Sequence, residues 1–316
     1  MRILISGGFG FIGGRIADSF SQEGHNIILG SRKLRKKPSW LPHGQVKKTD
    51  WNDTSSLKNI CKGVDVVIQA SGMNSEDCSN NPSAAALING DATRKLAEAA
   101  REAKVKKFIY LSTAHIYKNP LLGFIDEESF PLNEHPYATS HVLGENLALE
   151  AAERSEMVSI VFRLSNAFGV PMHKSVNCWM LLVNDLCKQA VETQKLKLHG
   201  PGNQMRDFIS LSKVCQVIRE VSINEDLPIK SGVYNLGTGL SKSVIEMATI
   251  IQQRFLKILK KDLNLIYSKE ILKNDNNKLD YNVDKLSSLG LNLSDEENIL
   301  EIDRLIIFCL ENFSQK

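Results

Sequence analysis

"RILISGGFGFIGG", residues 2–14, decides the fold. Ile3, Leu4 and Ile5 make its first part read as a short buried strand. Gly7, Gly10 and Gly13 follow at a spacing of three, and a helical stretch starts directly behind them. Glycine supplies dihedrals that other residues avoid and lets backbone approach a bound group. A helix N-terminus offers free N–H groups to an anion. Strand, glycine turn and helix in this order suit a dinucleotide pyrophosphate, so Gly7, Gly10, Phe11, Ile12 and Gly13 are read as a cofactor loop.

The same alternation continues down the chain. Residues 26–30, 65–70, 107–112 and 158–163 have the apolar, β-branched content of buried strands, while 11–22, 53–61, 82–103 and 137–154 have helical spacing. Such alternation predicts an α/β fold with a doubly wound parallel sheet covered by helices on both faces. After about residue 165 the regularity weakens, and Pro171, 173–177 and "HGPGNQMRD" (199–207) read as loop. Helices are expected at 178–192, 211–223, 241–258 and 296–312, with one more strand at 232–237. The expected division is a cofactor domain over 1–165 and a smaller, mainly substrate-binding lobe over 166–316, with some segments returning to the sheet.

Composition narrows the class. The 316 residues are 42% hydrophobic and 24% charged with a net charge of +3, which describes an ordinary soluble chain and argues against nucleic acid as partner. Six cysteines lack any paired or metal-like spacing, so free thiols, no metal and a cytoplasmic setting are expected. No apolar run reaches the length of a membrane span, and no signal-cleavage pattern follows the N-terminus.

The end of the second strand bears on the cofactor. An NAD site usually has a carboxylate there for the ribose 2′-hydroxyl. Here "ILGSRK" places Ser31, Arg32 and Lys33 instead, a hydroxyl and cations suited to a 2′-phosphate. NADP is therefore expected over NAD, the other reading of the run being a solvated basic face.

"HPYATSHVLGE", residues 135–145, puts Tyr137 and His141 one helical turn apart on one face. With the glycine loop and the elements between, the chain resembles the extended short-chain dehydrogenase/reductase family of nucleotide-sugar epimerases, dehydratases and ketoreductases. The resemblance runs nearly end to end, through "QASG" (69–72), "LSTAHIY" (111–117), "RLSNAFG" (163–169), "GPGNQMRDFI" (200–209), "GVYNLGTGLSKSV" (232–244) and "NVDKLSSLGL" (282–291). It implies a Rossmann sheet, catalytic Thr113 and Tyr137, and cofactor contacts from Asp50, Trp51, Ala70, Ser71, Asn89, Ser112, Tyr137 and His141. It also implies a nucleoside diphosphate held by Asn166, Asn177 and Arg206, although Arg206 could instead pair with Asp207. A second phosphate-binding arginine, common shortly before the "NVDKLSSLGL" segment, is missing from "KNDNNKLDY" (273–281).

Two departures shape the expected chemistry. His141 stands where the family has a lysine that holds nicotinamide ribose and lowers the tyrosine pKa. An uncharged imidazole leaves Tyr137 protonated, which serves ketone reduction better than alcohol oxidation or epimerisation. His141 facing solvent or merely packing on the helix is the competing reading. Thr113 is followed by Ala114-His115 rather than the Asp-Glu pair of sugar dehydratases, which disfavours 4,6-dehydration. His115 is open to reading as an acid–base group or as a loop histidine.

The expected function is thus NADP-dependent reduction, or epimerisation, of a nucleotide-linked keto-sugar. A cofactor-binding sensor or structural partner with vestigial chemistry is the alternative. The resemblance implies a homodimer packed through 82–103 and 137–154.

Overall fold

The computed structural model describes residues 1–153, 155–268 and 278–314. Seven strands form one parallel sheet in the order Gly232–Leu236, Val158–Leu164, Lys107–Thr113, Val66–Gln69, Arg2–Ser6, Asn26–Ser31, Gly44–Lys48. The first strand, Arg2–Ser6, sits inside the sheet, and successive strands wind away from it in both directions. Ligands of such sheets bind beyond the strands' carboxyl ends, where the winding reverses.

The central strands are apolar along most of their length because helices cover both faces, with buried polar residues such as Ser6, Gln69, Ser112 and Thr113 at their carboxyl ends. Ile3, Ile5, Ile68, Ile109 and Phe162 pack into one core with the helices Phe11–Gln22 and Leu211–Ile223 on their side of the sheet. Leu4, Val67, Phe108 and Val161 pack into a second core with Ala92–Glu102 and Pro136–Ala152.

The chain beyond Leu164 builds a third core from Leu182–Thr193, Val244–Leu259 and Glu296–Phe313. A three-stranded sheet of Asn166–Phe168, Met205–Ser210 and Ser241–Ser243 lies with it.

Several expectations need correction. Met205–Ser210 is a strand rather than loop, held by the antiparallel pairs Arg206–Lys242 and Asp207–Ser241 and by a parallel ladder to Asn166–Phe168. Gly44–Lys48 is an additional edge strand, its alternation hidden by two lysines. Ser75–Asn80 is an additional helix, capped by the Asn74 side chain on Asp77 N–H. The helix expected from 178 starts at Leu182. Residues 273–277, within the stretch that lacks the second arginine, lie outside the described residues.

Candidate functional site

Gly7 adopts φ 77°, and a Cβ there would lie 2.7 Å from the Ala70 carbonyl oxygen. A Cβ on Gly13 would lie 2.5 Å from the Gly7 carbonyl oxygen. Both glycines are thus required for the first helix to close onto the sheet, and neither lines the cavity. Gly10 donates to Gly7 O at 2.8 Å and begins the helix with no side-chain cap. The first-turn N–H groups are left for an anion, with no acidic residue in that turn to repel one. The residues present therefore fit a dinucleotide pyrophosphate.

A cavity of about 730 Å³ opens from this turn. Gly10, Phe11, Ile12, Ala70 and Ser71 form its cofactor-loop side. Ser112, Thr113, Tyr137 and His141 stand on its wall, and Asn166, Asn177 and Arg206 also line it.

Tyr137 is placed by the start of its helix. His135 accepts the Tyr137 N–H on Nδ1 at 3.1 Å, and Pro136 occupies the first turn. Thr113 ends the strand Lys107–Thr113 on the same cavity wall, and its Oγ1 accepts the His115 N–H at 3.2 Å. Burial raises the Tyr137 phenol above its ordinary 10, and the neighbouring Thr113 hydroxyl opposes this only in part. Tyr137 is therefore a protonated acid at neutral pH.

His141 neither faces solvent nor only packs on its helix. It is buried, its ring meets Tyr137 edge-on at 4.6 Å between centroids, and its Nδ1 lies 2.9 Å from the Tyr110 hydroxyl. Burial lowers its pKa to about 4, so it carries no charge at pH 7. His115 also lines the cavity, with no side-chain hydrogen bond among the described residues. Burial and then Arg206 hold its pKa below the ordinary value.

Ser31, Arg32, Asp50, Trp51 and Asn89, also expected at the cofactor, do not line the cavity. Asn89 is fully buried in a π-helical turn, Ala86–Asp91, and does not reach the cavity. Its Oδ1 accepts the Met73 N–H at 2.8 Å and its Nδ2 donates to Ser140 at 3.0 Å, so it ties the loop after Val66–Gln69 to the tyrosine helix. Ser112 gives its hydroxyl proton to Glu145. Asp50 is bound by Lys48 at 2.9 Å and Asn52 N–H at 3.2 Å, and Trp51 packs on the second core. Ser31 ends the second strand and Arg32 follows it, both outside the cavity, with Arg32 exposed and unpaired among the described residues. Farther along the same run, Arg35 lies 5.0 Å over the ring of Phe9 in the glycine loop, a placement no local pattern announces.

Arg206 does not pair with Asp207. That carboxylate accepts from Ser165 at 2.6 Å and from Thr238 N–H at 3.0 Å. Arg206 has one long bond, 3.4 Å to Gln204 Oε1, and no ion pair among the described residues. Burial without a compensating anion lowers its pKa. Asn166 donates to Asp207 O at 3.0 Å, which fixes its amide on the cavity side of the small sheet.

A Rossmann sheet whose glycine turn opens into one cavity with a Thr–Tyr pair defines a dinucleotide-dependent oxidoreductase fold. The model of the NAD dependent epimerase/dehydratase family matches residues 3–237, and the chain belongs to that family, as an NAD(P)-dependent enzyme of extended short-chain dehydrogenase/reductase type. The human dTDP-D-glucose 4,6-dehydratase is 25% identical over 263 residues, covering 78% of this chain and 72% of the relative. An ADP-L-glycero-D-manno-heptose-6-epimerase of Fusobacterium nucleatum is 26% identical over 265 residues, covering 78% and 77%. Among solved structures, the UDP-glucose 4-epimerase of Thermotoga maritima with UDP-glucose superposes with a TM-score of 0.81 at 19% identity, over 99% of this chain and 100% of that one. No helix among the described residues is long and apolar enough to cross a membrane.

Proposed function

We propose that this protein reduces a nucleotide-linked keto-sugar with NADPH, with epimerisation as a slower capability of the same site. The observation that carries the reading is the protonated Tyr137–Thr113 pair on one cavity wall with an uncharged His141. Bound NAD(P) supplies or accepts the hydride. Tyr137 gives its proton to the carbonyl oxygen of the sugar as that carbon is reduced, and Thr113 steadies the same oxygen. Oxidation of an alcohol must start from the phenolate, which burial disfavours and no cation at position 141 restores.

The relatives' names supply the substrate class: dTDP-, ADP- and UDP-linked sugars are what those proteins act on or hold. In this chain Arg206, with Asn166 and Asn177, is the group we assign to the diphosphate. NADP is preferred because no carboxylate ends the strand Asn26–Ser31 and the Arg32–Arg35 run supplies guanidinium groups there. Asn89 supports the cofactor cleft by tying the loop after Val66–Gln69 to the tyrosine helix. Leu87, 61% exposed, and Leu143, 39% exposed, mark the face we assign to a homodimer, and six unpaired thiols suit a cytoplasmic setting.

NADPH oxidation against a panel of nucleotide 4-keto-sugars tests the reading. Wild type should turn over one of them, and Tyr137→Phe should abolish turnover while NADP still binds. Absence of turnover with intact NADP binding would instead favour a sensor with vestigial chemistry.

A further inference from the structure

The Tyr110 hydroxyl lies in the interior between the strand Lys107–Thr113 and the tyrosine helix, and the residue is 1% exposed. Among the described residues its hydrogen-bond contacts are His141 Nδ1 at 2.9 Å and the Asn89 carbonyl oxygen at 3.4 Å, with the Thr93 hydroxyl close by. That carbonyl already accepts the Thr93 hydroxyl at 2.7 Å. A phenol has one proton, and it is a better donor to an imidazole nitrogen than an acceptor from one. The shorter contact therefore takes the proton. Gly144, one turn beyond His141, keeps the arrangement possible, since a Cβ there would lie 2.5 Å from the Tyr110 hydroxyl.

The outer side of the His141 ring belongs to the cavity wall, and its Nε2 has no partner among the described residues. We propose that Tyr110 is a positioning residue that donates to His141 Nδ1, keeps the imidazole proton on Nε2, and so presents an uncharged N–H donor to the ribose of a bound dinucleotide. Tyr110 and His141 together replace the hydrogen bond a lysine would make, but not its charge. This accounts for a site that can orient a cofactor while its tyrosine remains a strong proton holder. The inference rests on the reading that the dinucleotide's nicotinamide end lies beside Tyr137.

Spectra of the full-length, cofactor-free protein with ¹⁵N-labelled histidine test the bond directly. His141 should show an unprotonated Nδ1 and a protonated Nε2 at pH 7. Tyr110→Phe should release the ring into a mixture of both tautomers, and should weaken dinucleotide binding about two- to tenfold by calorimetry, the effect of one lost hydrogen bond. A wild-type proton on Nδ1 overturns the proposal, as does a Tyr110→Phe protein that keeps both the tautomer and the affinity. If Tyr110→Phe fails to fold, the wild-type spectrum alone decides. A wild type that binds no dinucleotide overturns the cofactor reading itself, while the spectrum still confirms or overturns the Tyr110 bond.

Discussion

Arg163, in the strand Val158–Leu164, and Arg206, on the cavity wall, are both drawn partly out of water. Arg163 meets Glu145 in a bidentate pair, with Nη2 at 2.8 Å and Nε at 3.2 Å, and also donates to the Tyr117 hydroxyl and the Glu127 carbonyl. Burial would lower its pKa, but Glu145 more than reverses that and holds it above the ordinary value. Arg206 has only Gln204 at 3.4 Å, and burial lowers its pKa. A guanidinium whose three nitrogens all donate holds a structure together. One left poorly satisfied on a cavity wall is poised for an anion that arrives from solution.

Removing the partner of the satisfied arginine should cost most. Glu145→Ala leaves the Arg163 charge buried and unpaired, and should lower stability by about 3–5 kcal/mol in urea unfolding. Gln204→Ala, the corresponding change beside Arg206, should leave the unfolding midpoint nearly unmoved. Similar losses from both would erase the contrast.

A buried base without an anion should instead surrender its charge. His141 has a pKa of about 4 in the fold against 6.5 unfolded. Between these values the unfolded chain binds the additional proton, so stability falls as pH drops below about 6.5 and the loss is complete near about 4. The gap corresponds to about 3 kcal/mol. Unfolding of wild type and His141→Gln at several pH values should show the variant losing less by roughly that amount. Parallel curves would contradict the buried, uncharged imidazole.

Arg206→Ala should raise the KM for a nucleotide sugar about ten- to a hundredfold, the effect of losing charge-assisted bonds, with little change in melting temperature. A large loss of stability would place Arg206 with Arg163 instead. Arg32→Ala should weaken NADP about two- to tenfold and leave NAD nearly unchanged, because an exposed cation acts only on the added phosphate. Equal effects on both cofactors would assign the run to a solvated face.

What could be read from the chain beforehand follows from range. The glycine turn is local: spacing of three, a preceding strand and a following helix, all within Arg2–Gln22. The Tyr137–His141 spacing is one helical turn and equally local. The Arg163–Glu145 pair joins a strand to a helix, and Tyr110 finds His141 across thirty-one positions, so neither has a periodicity to detect. Asn89 shows a subtler limit. Its position along the chain was informative, but a π-helical turn directs the side chain to Met73 and Ser140 rather than into the cavity. Short strands such as Met205–Ser210 exist only through partners elsewhere in the chain.

The central claim is that Tyr137 works as a protonated acid with no cation beside it. The pH dependence of kcat/KM for ketone reduction tests this most directly. Burial raises the phenol above 10, and His141 titrates only near about 4, so neither changes charge in the neutral range. The profile should be level from about pH 6 to 9 and fall only on a more alkaline limb. In His141→Lys that limb should move to lower pH, because a nearby cation favours the phenolate. A wild-type limb already present near about pH 7, unmoved in His141→Lys, would contradict the account.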